Sequence, residues 1–91
     1  MLYGVYHCCD EEVGFGDAVE QQDLIAIFPE KEMAKKYVSR WNNRHVYREP
    51  YARLYCGELE IEELPPILGE ADINRSPSDI APRVAWAFDS K

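Results

Sequence analysis

One stretch of this chain repeats its apolar residues at a helical period, and it lies between two runs that do not. From Glu30 onward the apolar positions are Met33, Ala34, Tyr37, Val38 and Trp41, which line one face of an α-helix. Glu30 and Glu32 stand in its first turn, and Lys36, Arg40 and Arg44 lie toward its end, in the sense favoured by the helix macrodipole. Asn42-Asn43 is a plausible stop, because Asn tolerates the left-handed conformation. A single amphipathic helix cannot bury its own stripe, so the rest of the chain must supply the surface that covers it.

That surface reads as β-structure. Leu2 to Cys8 is short and rich in β-formers and predicts a first strand. Leu24 to Phe28 is a compact apolar run stopped by Pro29, a second strand. Between them, Asp10 to Asp23 is polar and acidic with glycines at 14 and 16, and reads as a long hairpin connection with room for a short ribbon around Val13 and Phe15. Tyr51 to Leu64 reads as a long third strand, with Val46-Tyr47 as a possible short extension before it. A bulge at Gly57 would turn Leu54, Cys56, Leu59 and Ile61 to the core and Glu58, Glu60 and Glu62 to water. Pro65-Pro66 ends it.

The expected fold is therefore α+β: a small antiparallel sheet of about three strands with one helix packed across it, in ββαβ order. Residues 1–64 would form the core domain, and residues 65–91 a C-terminal extension docking on it. In that extension, Ser76-Pro77-Ser78-Asp79 has the pattern of a helix start. Val84, Trp86 and Phe88 alternate as in an edge strand, while Ala81, Ala85 and Phe88 fit helical spacing equally well, so the tail stays open between the two. One helix leaves the other sheet face uncovered. Tyr3, Val5, Tyr51 and Tyr55 are assigned there, to be covered by the tail or by a second copy in a homodimer.

Charge is partitioned along the chain. Residues 1–30 hold seven acids and no Lys or Arg, residues 31–53 are net +5, and residues 54–91 are net −5, within an overall −7. One reading is internal neutralisation, with a basic helix beside acidic strands; the other is two faces of opposite potential that meet a partner.

Catalytic and metal-binding patterns are weak. His7-Cys8-Cys9, with His45 and Cys56 elsewhere, is the only group of ligand-type residues, and adjacent cysteines on a strand point to opposite faces. Zinc spacing is missing, and the same geometry separates Cys8 from His7 as a nucleophile and base; His45 approaching Cys56 is the other Cys–His option. Gly14-Phe15-Gly16 has no following Lys, and the acids around it would repel phosphate. No calcium-loop spacing is present. No metal or cofactor is expected. Three cysteines without a secretory leader fit a reducing, cytoplasmic setting, and no run approaches the length of a membrane span.

The order of Leu2 to Cys8, an acidic connection, Ile25-Ala26-Ile27-Phe28-Pro29, the helix Lys31-Glu32-Met33-Ala34-Lys35-Lys36-Tyr37-Val38, and Tyr51 to Glu63 resembles small acidic ββαβ proteins of bacteriophages and mobile elements. The resemblance covers roughly residues 1–64 and rests on packing motifs. Here Pro29 stands where Ser or Thr usually caps the helix. Where such proteins have a known role, it is often stoichiometric inhibition of a host system, including CRISPR effectors, restriction enzymes and polymerase. It implies no catalytic residue.

The expectation that follows is a non-enzymatic inhibitor acting in the host cytoplasm on a defence (CRISPR-type, as in anti-CRISPR proteins) or nucleic-acid-handling protein. Its contacts would be Asp10, Glu11, Glu12, Phe15, Asp17, Glu58, Glu60 and Glu62. A first alternative is a small RNA- or DNA-binding regulator using Lys35, Lys36, Arg40, Arg44 and Trp41, which the flanking acidic segments disfavour. A second is a small enzyme dependent on Cys8 or Cys56.

Overall fold

The computed structural model describes residues 1–12, 18–43, 52–59 and 67–88, with the backbone alone at 10–12 and 18–20. Strand β1 (Leu2–Glu12) and strand β2 (Ala18–Phe28) are followed by helix α1 (Lys31–Asn42) and strand β3 (Arg53–Leu59). The three strands form one antiparallel sheet in the order β2-β1-β3. This is the ββαβ, α+β arrangement expected from the sequence. The C-terminal part adds helix α2 (Pro77–Ile80) and helix α3 (Ala85–Phe88), with 3₁₀ turns at Glu70–Asp72 and Pro82–Val84. The tail thus takes the helical alternative, in pieces. Ser76 caps α2, its Oγ accepting from the Asp79 N–H at 3.3 Å, and Pro82 starts a new turn instead of extending the old one.

Two strand boundaries differ from the sequence reading. Asp10–Glu12 and Ala18–Asp23 belong to the strands, pairing in register as Asp10↔Glu20, Glu11↔Val19 and Glu12↔Ala18. Polar side chains on a two-stranded ribbon give no apolar alternation, so these residues look like loop in one dimension. The ribbon expected around Val13 and Phe15 lies outside the described residues. The bulge is also elsewhere. Pairing of β1 with β3 runs from Leu2↔Leu59 to Cys8↔Arg53 without a shift, so Gly57 carries none. The shift falls between Val5↔Ala26 and Tyr6↔Leu24, leaving Ile25 as the extra residue of β2. Both Ile25 and Ala26 consequently enter the core.

The core lies on one face of the sheet, under α1 and the tail. The sheet contributes Val5, Ile25, Ala26, Phe28 and Leu54, α1 contributes Ala34, Tyr37 and Trp41, and the C-terminal part adds Leu68, Ile73, Ala81, Val84, Ala87 and Phe88. Tyr37 joins all three layers. Its ring packs against Phe28 at 5.5 Å between centroids, and its hydroxyl donates to the Arg75 carbonyl at 3.0 Å. The Leu68 N–H donates to the Ile27 carbonyl at 2.6 Å, seating the chain on the outer edge of β2.

The opposite face differs from the aromatic surface read from the sequence. Tyr3 and Val5 belong to the core side, packed with α1. Tyr55 is on the other side, stacked on Tyr6 with centroids 5.1 Å apart, and Tyr51 lies outside the described residues. The four therefore do not form one face. Gly4 sits in the middle of this second face, where a Cβ would run into the ends of Leu59 and Leu24. Its missing side chain lets the two leucines close over the strand.

Asn42 ends α1, but Asn43 is not left-handed (φ −88°, ψ 1°). The work of Asn42 is done by its side chain. Nδ2 donates to the Leu54 carbonyl at 2.7 Å, and Oδ1 accepts the Leu54 N–H at 2.8 Å. One amide thus takes the place of a neighbouring strand on the outer edge of β3.

Candidate functional site

Of the acidic residues named from the sequence, the described ones lie in two places. Strand β3 accompanies β1 only as far as Cys8, and beyond that point the described partner of β1 is β2 alone. Cys9–Glu12 and Ala18–Gln22 form a two-stranded ribbon extending past the three-stranded sheet. Asp10, Glu11, Glu12 and Glu20 lie on it, and residues 1–30 contain no Lys or Arg to offset them. Asp10 and Glu20 are directly opposed register partners, and like charges at such positions oppose pairing. The strands are long enough to tolerate this, since the same pair is held by Val5↔Ala26 and Tyr3↔Phe28 in the core.

Glu58 is exposed and pairs in register with Tyr3, at the other end of the sheet. Asp10 is seven steps along β1 from that position, about 23 Å of extended strand. The fold therefore separates Glu58 from the ribbon. Glu58 also follows the core-side alternation of Leu54 and Cys56, being exposed because it lies near the strand's end. Phe15, Asp17, Glu60 and Glu62 lie outside the described residues.

The basic helix face is solvated. Lys35, Lys36 and Arg40 are exposed, and Arg44 lies outside the described residues. The Lys36 ammonium is 3.4 Å from the Glu70 carboxylate. Trp41 is 7% exposed and tilted against Tyr37 in the core, so its ring offers no platform on which a base could stack. Two other bases are matched by acids, one distant in sequence and one three residues away. Arg83 reaches Asp23 at 3.9 Å and donates to the Leu24 carbonyl, and Arg75 lies 3.4 Å from Asp72. The Asp72 carboxyl is held below the usual carboxylate range, first by the Gly69 N–H and then by Arg75. Each of these ion pairs involves a residue of the C-terminal part, Glu70, Asp72 or Arg83.

The Cys–His cluster is divided by the sheet. His7 faces the core side, packed by Trp86 and Phe88, whereas Cys8 is buried on the opposite side. Cys9 and Cys56 return to the core side, but Cys56 pairs with Val5, four positions along β1 from Cys9. Among the described residues no group of three or more His, Cys, Asp or Glu side chains could hold a metal ion. His45, the other Cys56 partner considered, lies outside the described residues. No helix among those described is long and apolar enough to cross a membrane.

His7 is the residue whose position the sequence did not signal. It is 1% exposed, its Nε2 has no hydrogen-bond partner among the described residues, and burial lowers its proton affinity against the opposing pull of the Asp23 carboxylate. A histidine on a strand of Tyr, Val and Cys gives no hint that aromatic residues some eighty positions later will enclose it.

Compared with protein-family models, curated proteins and solved structures, the chain matches none.

Proposed function

We propose that this chain is a non-enzymatic binding protein that inhibits a host defence or nucleic-acid-handling protein, of the kind implied by its resemblance to small acidic phage proteins. The ribbon of Cys9–Glu12 and Ala18–Gln22 is the inhibitory element. Its sequence carries acids without bases, and it continues beyond Cys8, the last residue of β1 that the described part of β3 accompanies. Carboxylates without neighbouring bases in the sequence suit arginines and lysines that would otherwise grip phosphates, because ionised donors and acceptors make the stronger hydrogen bonds. The observation that carries this reading is the Asp10↔Glu20 register: repulsion kept within a strand pair has a use when a cationic surface relieves it.

The test starts with tagged protein and whatever co-purifies with it from host cells. Changing Asp10, Glu11 and Glu12 to Ser should weaken that complex at least tenfold at low salt and flatten its salt dependence. The wild-type chain should also displace nucleic acid from the captured partner. Unchanged affinity in the triple variant, or a partner that keeps its nucleic acid, overturns the reading.

A further inference from the structure

His7 joins two parts of the molecule that nothing covalent holds together locally. We propose that His7 is a proton-operated latch: while neutral it keeps residues 82–88 docked on the sheet, and its protonation releases that segment. The inference does not depend on the inhibitory reading above.

The geometry is that of an aromatic clasp. The His7 ring meets Trp86 edge-on at 5.4 Å and Phe88 at 5.6 Å. Trp86 is 44% exposed while His7 beneath it is 1% exposed, so at this ring the cover is thin. A neutral imidazole packs there as a flat, weakly polar ring. A second ring proton would place a cation in that contact with no acceptor for Nε2 among the described residues, which a buried site tolerates poorly. Release of the cover is the direct way to hydrate it.

The surroundings determine how readily this happens. From β2, Asp23 stands directly opposite His7 in register and favours the cation. From the turn at Pro82–Val84, Arg83 lies 3.9 Å from the Asp23 carboxylate, draws on that same charge, and donates to the Leu24 carbonyl. From β1 itself comes Cys9, half-buried on the same side, and from β3 comes Leu54. Helix α1 presents apolar and aromatic residues to this side, and its Tyr37 hydroxyl is engaged by Arg75. Among the described residues, Asp23 is thus the one carboxylate facing His7, and Arg83 already shares it. Burial prevails, and the His7 pKa lies below its ordinary 6.5.

The sign follows from linkage. The undocked state binds the proton more tightly than the docked one, so docking is fully stable above about pH 6.5 and weakens as pH falls from there toward the docked pKa. Helix α3 and the turn before it span four and three residues, too few to persist without their burial against the sheet. They can leave while the β1–β2–α1 core remains.

Hydrogen exchange on the full chain at pH 7.5 and 5.5, with intrinsic rates divided out, tests this. Residues 82–88 should lose protection at pH 5.5 while strand amides keep theirs. His7→Phe should keep the segment protected at both pH values. Asp23→Asn, which removes the charge favouring the cation, should shift the release to lower pH. The ring titration of His7, followed by NMR in the wild-type chain, should share its midpoint with the release, which covers the case of a His7→Phe chain that does not fold. Equal tail protection at both pH values overturns the latch. So does the same loss in a folded His7→Phe chain, a ring midpoint apart from that of release, or strand amides that open in step with the tail.

Discussion

Asn42 illustrates how a single side chain can decide the fate of an edge. Its amide satisfies both backbone groups of Leu54 on the open side of β3, a position where an unpaired strand would otherwise template association. Each of the two hydrogen bonds contributes about 1 kcal/mol net, so Asn42→Ala should destabilise the fold by about 2 kcal/mol in urea unfolding. Asn42→Asp keeps an acceptor for the Leu54 N–H but loses the donor to its carbonyl, and should fall between the two. The sequence marked Asn42 as a helix stop, and the helix does end there. The reason differs: a stop signal is local, whereas an amide lying along a strand twelve residues away is not visible until the chain folds. The same holds at Gly4. Nothing local distinguishes it from an ordinary strand glycine, yet Leu24 and Leu59 converge on it from two other strands.

At the level of elements, legibility followed length and period. Helix α1, twelve residues long with a clean apolar stripe, was readable almost to its ends. The four-residue helices α2 and α3 were not, because one turn yields too few positions to separate a period of two from one of 3.6. The Ser76 cap was readable because capping is a chemical signal that needs only four residues. Residues 85–88 settle into a helix because that conformation buries Ala87 and Phe88 together while Trp86 stays half out. Phe88→Ala should therefore cost about 3 kcal/mol, near the value for emptying a core aromatic site, whereas Trp86→Ala should cost clearly less. Thermal unfolding of the two variants at neutral pH compares them directly. Equal losses would mean that Trp86 supports the core as much as Phe88 does. The β2 bulge belongs to the same scale: Ile25 and Ala26 are neighbours in a uniformly apolar run, and only pairing with β1 shows that both turn inward.

For the whole molecule, the charge partition was legible from the sequence, but its spatial meaning depended on the sheet. Strand register puts Glu58 at one end and Asp10 through Glu12 at the other, so these described acids stand on separate parts of the sheet. The tail, for its part, meets the sheet's charges with Arg83 on Asp23, and α1 meets the tail's with Lys36 on Glu70. The ribbon carries Asp10, Glu11, Glu12 and Glu20 and no base, and that makes stability and binding opposed quantities there. Asp10→Lys would face Glu20 with an opposite charge in place of a like one. A cross-strand pair of that type is worth about 0.2–1 kcal/mol, so the variant should unfold at slightly higher denaturant than the wild type. Its affinity for a cationic partner should fall in the same experiment. A ribbon kept only for structure would improve on the first measure without loss on the second, whereas a ribbon kept acidic for binding must gain on one and lose on the other.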